Sequence, residues 1–149
     1  MRKFLFLLFI PILFCGCKKT DQAALDQQTI QQYIKSHQLN AIAEPNGLYY
    51  VPTSVGSGGY PTINDTVTVN YIGYFTNGSV FDQTTVASGP YTTPLSNVIA
   101  GWQEGIPLMQ KGGSALLLIP SALAYGTQGA GPIPGNTVLI FNVTLVSFQ

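Results

Sequence analysis

The sequence predicts an α+β domain: a curved, mostly antiparallel β-sheet wrapped around one short helix, with an N-terminal helical extension ahead of it. Three observations carry this. Sixteen glycines and ten prolines against 8% charged residues favour short strands and tight turns over long surface helices. Several runs alternate apolar and polar residues at the period of a half-buried strand. Between two groups of such strands, Gly101 to Leu108 leaves room for only about two helical turns. A chain of 149 residues, 46% hydrophobic and 11% aromatic, can fill one sizeable core, so a single domain is expected. Zero formal charge, with no cationic cluster beyond Lys18-Lys19, speaks against nucleic acid as a partner.

The first residues read as an address. Arg2 and Lys3 precede an apolar run from Phe4 to Phe14, shorter than the roughly 20 residues that span a bilayer, as in a signal peptide. Phe14-Cys15-Gly16-Cys17 then resembles a bacterial lipobox, with Phe14 where Leu is usual and Cys17 as the lipid-bearing first residue of the mature chain. A disulfide across C-x-C would be strained, and a structural zinc site lacks ligands. Residues 1–16 are therefore expected to be a lipoprotein signal peptide, 17–45 a lipid-anchored tether with a short helix, and 46–149 the functional domain. Processing would leave Lys18, Lys19, Lys35 and Lys111 against six acidic residues, a formal charge near −2. The mature protein would face the periplasm or cell exterior and touch the membrane through its lipid.

From Asp21 the chain is Gln-rich, with Ile30, Tyr33, Ile34 and His37 at helical spacing, which predicts a helix over about 23–38, either lying against the domain or standing as a spacer. His37 is the only histidine; with no Cys or carboxylate constellation beside it, it reads as a solvated helix-end residue and not as a base. Leu48 to Val51 is a short strand. Residues 65–75 alternate, with Val67, Val69 and Tyr71 on one face, and Asn77-Gly78 is a strong hairpin signal that returns the chain as Ser79 to Asp82. Ser114 to Ile119, closed by Pro120, and Val138 to Val146 complete the sheet; in the latter, Leu139, Phe141, Val143 and Leu145 share a face. Pro107 ends the short helix; Gly101 lets the backbone approach its neighbours closely, Gly105 leaves one side of the helix without bulk, and together they are expected to clear space around Trp102 at the floor of a pocket.

Three blocks, N-Y-I-G-Y-F-T-N-G-S-V-F-D, V-I-A-G-W-Q-E-G-I-P-L-M and I-P-S-A-L-A-Y-G-T-Q-G-A-G-P-I-P-G-N-T-V-L-I-F-N-V, resemble in order and spacing the signature of the FKBP-type peptidyl-prolyl cis-trans isomerases. The resemblance covers 46–149 and implies a half-barrel sheet curled around one short helix, with an aromatic pocket that accepts a proline ring. It implies Tyr71 and Phe81 as walls, Asp82 at the rim and Trp102 as floor. Val98 and Ile99 would line the entrance, the Ile99 N–H would hold a substrate carbonyl, Tyr125 would offer its hydroxyl, and Ile133 and Phe141 would close the far side. Tyr91 lies near a further aromatic site, while Thr93 replaces a Phe that helps shape the rim in many relatives. Asp82 and Tyr125 are the groups implied in catalysis.

An X-Pro bond resists rotation by about 20 kcal/mol because rotation breaks amide resonance. An apolar pocket that strips water from the planar, charge-separated amide favours the twisted one. Such a site needs aromatic walls and one or two orienting groups, with no nucleophile, metal or cofactor. The expected partners are proline-containing segments of exported proteins, and the resemblance also admits a macrolide ligand. Some exported relatives dimerise through a long N-terminal helical extension; the helix here has about four turns, and a monomer is expected. The alternative reading is a chaperone or adaptor lipoprotein that binds proline segments without turning them over.

Overall fold

The computed structural model describes residues 21–149; the expected signal segment, Cys15 and Cys17 lie outside them. Seven strands form one antiparallel sheet: β1 (Ile42–Ala43), β2 (Tyr49–Ser54), β3 (Thr66–Phe75), β4 (Val80–Gln83), β5 (Tyr91–Pro94), β6 (Ser114–Ile119) and β7 (Leu139–Phe148). The order is β1-β2-β6-β7-β3-β4, and β5 also pairs with β3. The two ten-residue strands, β3 and β7, form the spine, with a bulge between Thr68 and Val69 that bends the sheet. β4 pairs with Ile72 to Tyr74 and β5 with Thr66 to Val69, so the edge beside β3 is split at Tyr71. Thr84 fills the break: its N–H and hydroxyl donate to the Tyr71 carbonyl, and its hydroxyl accepts from the Tyr71 N–H. That anchors the backbone of Tyr71 on the edge that neither β4 nor β5 reaches, opposite its pairing with Val143 of β7.

The concave face carries the main core: Val67, Val69, Leu117, Ile119, Leu139, Phe141, Val143 and Leu145 pack with Leu95, Trp102, Ile106 and Met109. Across it lies α2 (Ala100–Gly105), which tightens into a 3-10 turn, Ile106–Leu108, where Pro107 cannot continue the α pattern. The two glycines of α2 give the close backbone approach expected of Gly101 and the bare helix side expected of Gly105, and both face the sheet. A Cβ on Gly101 would stand 2.5 Å from Ile119 Cγ2, and one on Gly105 would stand 2.8 Å from Leu117 Cδ2. They let the helix press onto β6, which sets the height of Trp102 above the sheet; the side chains that a Cβ would meet, Ile119 and Leu117, are not among those lining the cavity.

The N-terminal helix, α1 (Gln22–Ser36), lies against the domain on the opposite, convex face. The Asp21 side chain caps it by accepting from the Ala23 N–H at 3.1 Å, and Gln38 ends it in the left-handed conformation with φ +53°. Ile30 is fully buried against Tyr49, Val51, Leu116, Leu118, Val138 and Ile140, a burial that stabilises by roughly 1.5–3 kcal/mol. Tyr33 and Ile34 pack beside it. Gln27 and Gln31 donate to the Tyr49 hydroxyl, the latter at 2.8 Å. His37 is exposed at the helix end and stacks on Tyr33 with ring centroids 3.9 Å apart, away from any constellation of reactive groups.

Candidate active site

Between α2 and the concave face lies a cavity of about 250 Å³. Its floor is Trp102, whose ring meets Tyr71 edge-on at 5.1 Å and Phe141 edge-on at 5.3 Å. Phe81, from β4, meets Phe141 edge-on at 5.5 Å, and Tyr91, from β5, meets Tyr71 at 6.1 Å. Such edge-to-face pairs suit the ring quadrupoles, so each aromatic side chain holds the next in orientation and the cage does not collapse into stacked rings. Gly73, on β3 between Tyr71 and Phe75, makes the wall possible. A Cβ there would stand 2.7 Å from the Phe81 ring and 2.8 Å from Phe141.

Polar groups are few and sit at the rim. The Tyr71 hydroxyl donates to Asp82 Oδ2 at 2.6 Å, a short, charge-assisted bond that fixes both side chains. Burial, then this bond and the charge of Asp82, push the Tyr71 phenol well above its ordinary value of 10. Burial and the same carboxylate raise Tyr125 as well. Both phenols therefore remain neutral O–H donors throughout the physiological range. The Tyr125 hydroxyl and the Ile99 N–H have no hydrogen-bond partner among the described residues, and the buried Trp102 Nε1 also lacks one. Two unpaired donors, the Tyr125 hydroxyl and the Ile99 N–H, thus belong to residues that line the cavity.

The entrance is built by a short loop. A 3-10 turn, Leu95–Asn97, leads into Val98 and Ile99, and the Ile99 carbonyl caps α2 by accepting from the N–H groups of Trp102 and Gln103. The Gln103 amide reaches back to the Val98 and Ser96 carbonyls at 2.8 and 3.2 Å, closing the loop on itself. On the other side, the glycine-rich segment after Tyr125 is laced by backbone bonds between Gly129 and Tyr125, between Ala130 and Ile133, and between Asn136 and Gly126.

Nine of the residues expected at the site line this one cavity: Tyr71, Phe81, Asp82, Tyr91, Val98, Ile99, Trp102, Tyr125 and Phe141. Ile133 does not. It is buried in the core cluster instead of closing the cavity wall. Thr93 is also buried, in β5 opposite Val67, so the replacement expected at the rim lies outside the cavity lining. Asn97 lines the cavity and was not anticipated; a polar residue just before an apolar pair carries no signal of its own.

Known proteins resemble this chain in sequence and in fold. The family described as FKBP-type peptidyl-prolyl cis-trans isomerase matches residues 58–146. The chain is 50% identical over 102 residues to a probable FKBP-type peptidyl-prolyl cis-trans isomerase FkpA of Neisseria meningitidis, covering 68% of this chain and 38% of that protein. It is 43% identical over 106 residues to the outer membrane protein MIP of Legionella longbeachae, covering 70% of this chain and 46% of that protein. The chain therefore spans less than half the length of these relatives. The crystal structure of FkpA from Escherichia coli superposes with a TM-score of 0.77 at 35% identity, over 85% of this chain and 61% of that one.

Proposed function

Because the chain belongs to the FKBP-type peptidyl-prolyl cis-trans isomerase family, we propose that it catalyses rotation about X-Pro bonds in exported proteins, using the cavity above Trp102. The observation that carries this reading is the cage of mutually edge-on rings with one Tyr71–Asp82 pair at its rim. A proline ring entering the cage loses its water, and so does the amide that precedes it. The planar amide is the more polar form, so its desolvation lowers the barrier to the twisted one. The Ile99 N–H would hold a carbonyl of the peptide and Tyr125 would hold a second. Asp82, bonded to Tyr71, keeps the wall in place and offers negative charge near the rotating bond. No covalent intermediate enters the scheme.

The chain would act as a monomer from a membrane surface, anchored by a lipid on Cys17 either on the outer side of the cytoplasmic membrane or in the outer membrane, and facing the periplasm or cell exterior. No helix among the described residues is long and apolar enough to cross a membrane, and the name of the Legionella longbeachae relative supports an envelope location. A macrolide would occupy the same cage and compete with peptide. The test is the rate of cis-to-trans conversion of short X-Pro peptides by the full-length protein, beside a Trp102→Ala variant shown to be folded. Acceleration that the variant loses supports the reading. A folded wild-type protein that accelerates no peptide, whatever residue precedes Pro, overturns it.

A further inference from the structure

The face of α1 that meets the sheet is not wholly apolar. Asp26 is 3% exposed, four residues before Ile30, and its carboxylate is fully engaged. Oδ1 accepts from Gln22 Nε2 at 2.7 Å, and Oδ2 accepts from both the N–H and the hydroxyl of Ser121, at 2.8 and 2.5 Å. Ser121 is itself buried and begins the 3-10 turn Ser121–Leu123 that follows β6. Its carbonyl accepts from the N–H groups of Ala124 and Gly126, at 3.1 and 2.8 Å. Those two residues flank Tyr125, which reaches the cavity lip. A carboxylate on the convex side of the sheet is thus joined through one serine to the backbone on both sides of a pocket residue.

A buried carboxylate is costly to desolvate unless its oxygens are satisfied, and an apolar residue at position 26 would suit packing against the sheet better. What the carboxylate adds is direction: two bonds to one residue fix Ser121 in place and in rotation. We propose that Asp26 is a positioning residue for the isomerase site, holding Ser121 so that Tyr125 is presented at the cavity lip, and that the N-terminal helix thereby contributes to turnover without touching substrate. The inference rests on the reading of Tyr125 as a group that meets the peptide.

The experiment compares Asp26→Ala, Asp26→Asn, Ser121→Ala, Tyr125→Phe and the Asp26→Ala/Tyr125→Phe double variant of the full-length protein. It reads kcat/KM on an X-Pro peptide, thermal stability, and amide exchange at Ala124 and Gly126. Asn keeps one oxygen for Ser121, and Gln22 can turn its amide to meet the new NH2, so Asp26→Asn should stay within about twofold of wild type. Asp26→Ala should lower kcat/KM about tenfold in the wild-type background and less than about twofold where Tyr125 is already Phe, because residues acting as a unit are not additive. Exchange at Ala124 and Gly126 should quicken in Asp26→Ala and recover in Asp26→Asn. Equal losses in both backgrounds, or a fall in stability alone with unchanged exchange at those amides, overturn the proposal. If Asp26→Ala does not fold, Ser121→Ala, which loses only the hydroxyl bond, must show the same pattern in weaker form. If the wild-type protein turns over no peptide, the functional reading fails, and the exchange measurement still decides whether the clamp exists.

Discussion

Replacing Gly101 with Ala tests whether the height of Trp102 is set by contact between α2 and β6. Two effects oppose each other. Gly101 lies within a helix and its φ is not positive, so helix propensity alone would make Ala more stable by about 0.8–1.0 kcal/mol. Against this, the new methyl would stand 2.5 Å from Ile119 Cγ2 and 2.8 Å from Cδ1, inside any real carbon contact. Ile119 is fully buried and β-branched, so it cannot swing aside, and overpacking of this kind costs about 1–3 kcal/mol. The steric cost prevails, and the expected net change is a destabilisation of about 1 kcal/mol, read as a lower urea midpoint at unchanged m-value. The lifted helix would also displace Trp102 from its place against Tyr71 and Phe141, so peptide affinity should fall alongside stability. Ile119→Ala removes the clashing atoms, and in that background Gly101→Ala should be neutral or stabilising, with a coupling of about 1–3 kcal/mol between the two sites. A Gly101→Ala protein more stable than wild type would refute the account and leave the glycine as an accident of sequence.

Other outcomes follow from the same geometry. Asp82→Ala combined with Tyr125→Phe should lower turnover more than peptide binding, measured by single-turnover kinetics beside quenching of Trp102 fluorescence; equal losses would assign both groups to binding alone. The raised phenol of Tyr71 contributes stability that is fully present below the unfolded value of about 10 and is lost as pH rises beyond it. Unfolding midpoints should therefore decline above pH 10, less steeply in Tyr71→Phe, and identical slopes would contradict a phenol raised by burial and by its bond to Asp82. Gln38 occupies a left-handed position that costs a side-chain-bearing residue strain, so Gln38→Gly should stabilise the protein by about 0.5–1 kcal/mol in thermal unfolding.

The cavity was legible in the sequence because eight of the residues that line it, all but Tyr91 and Asn97, fall in three contiguous blocks, and because β3 and most of β7 alternate cleanly. The edge strand β5 was not. Tyr91 to Pro94 has four residues, two threonines and a proline, and becomes a strand only by pairing with Thr66 to Val69 of β3. Asp26 was hidden for a different reason. An acidic residue in a Gln-rich helix reads as solvated, and its partner lies 95 residues away, beyond the reach of any local pattern.

The docking of α1 did leave a trace, in the contrast between strands. In β6 every residue from Ala115 to Ile119 is buried, a continuous apolar run that implies cover on both faces. β7 begins the same way, with Leu139, Ile140 and Phe141 all buried, and then alternates from Asn142 onward. In β3 the convex positions Asn70 and Ile72 are exposed while Val67 and Val69 are buried on the concave side. The change from unbroken to alternating burial therefore marks where a second layer ends. It places that layer over β2, β6 and the start of β7, where Ile30 is found, and at the end of β6, where Asp26 meets Ser121. The residues that keep the helix on the sheet and the carboxylate that reaches toward Tyr125 thus share one helix face, so loosening α1 should be felt at the cavity before it is felt in the concave core.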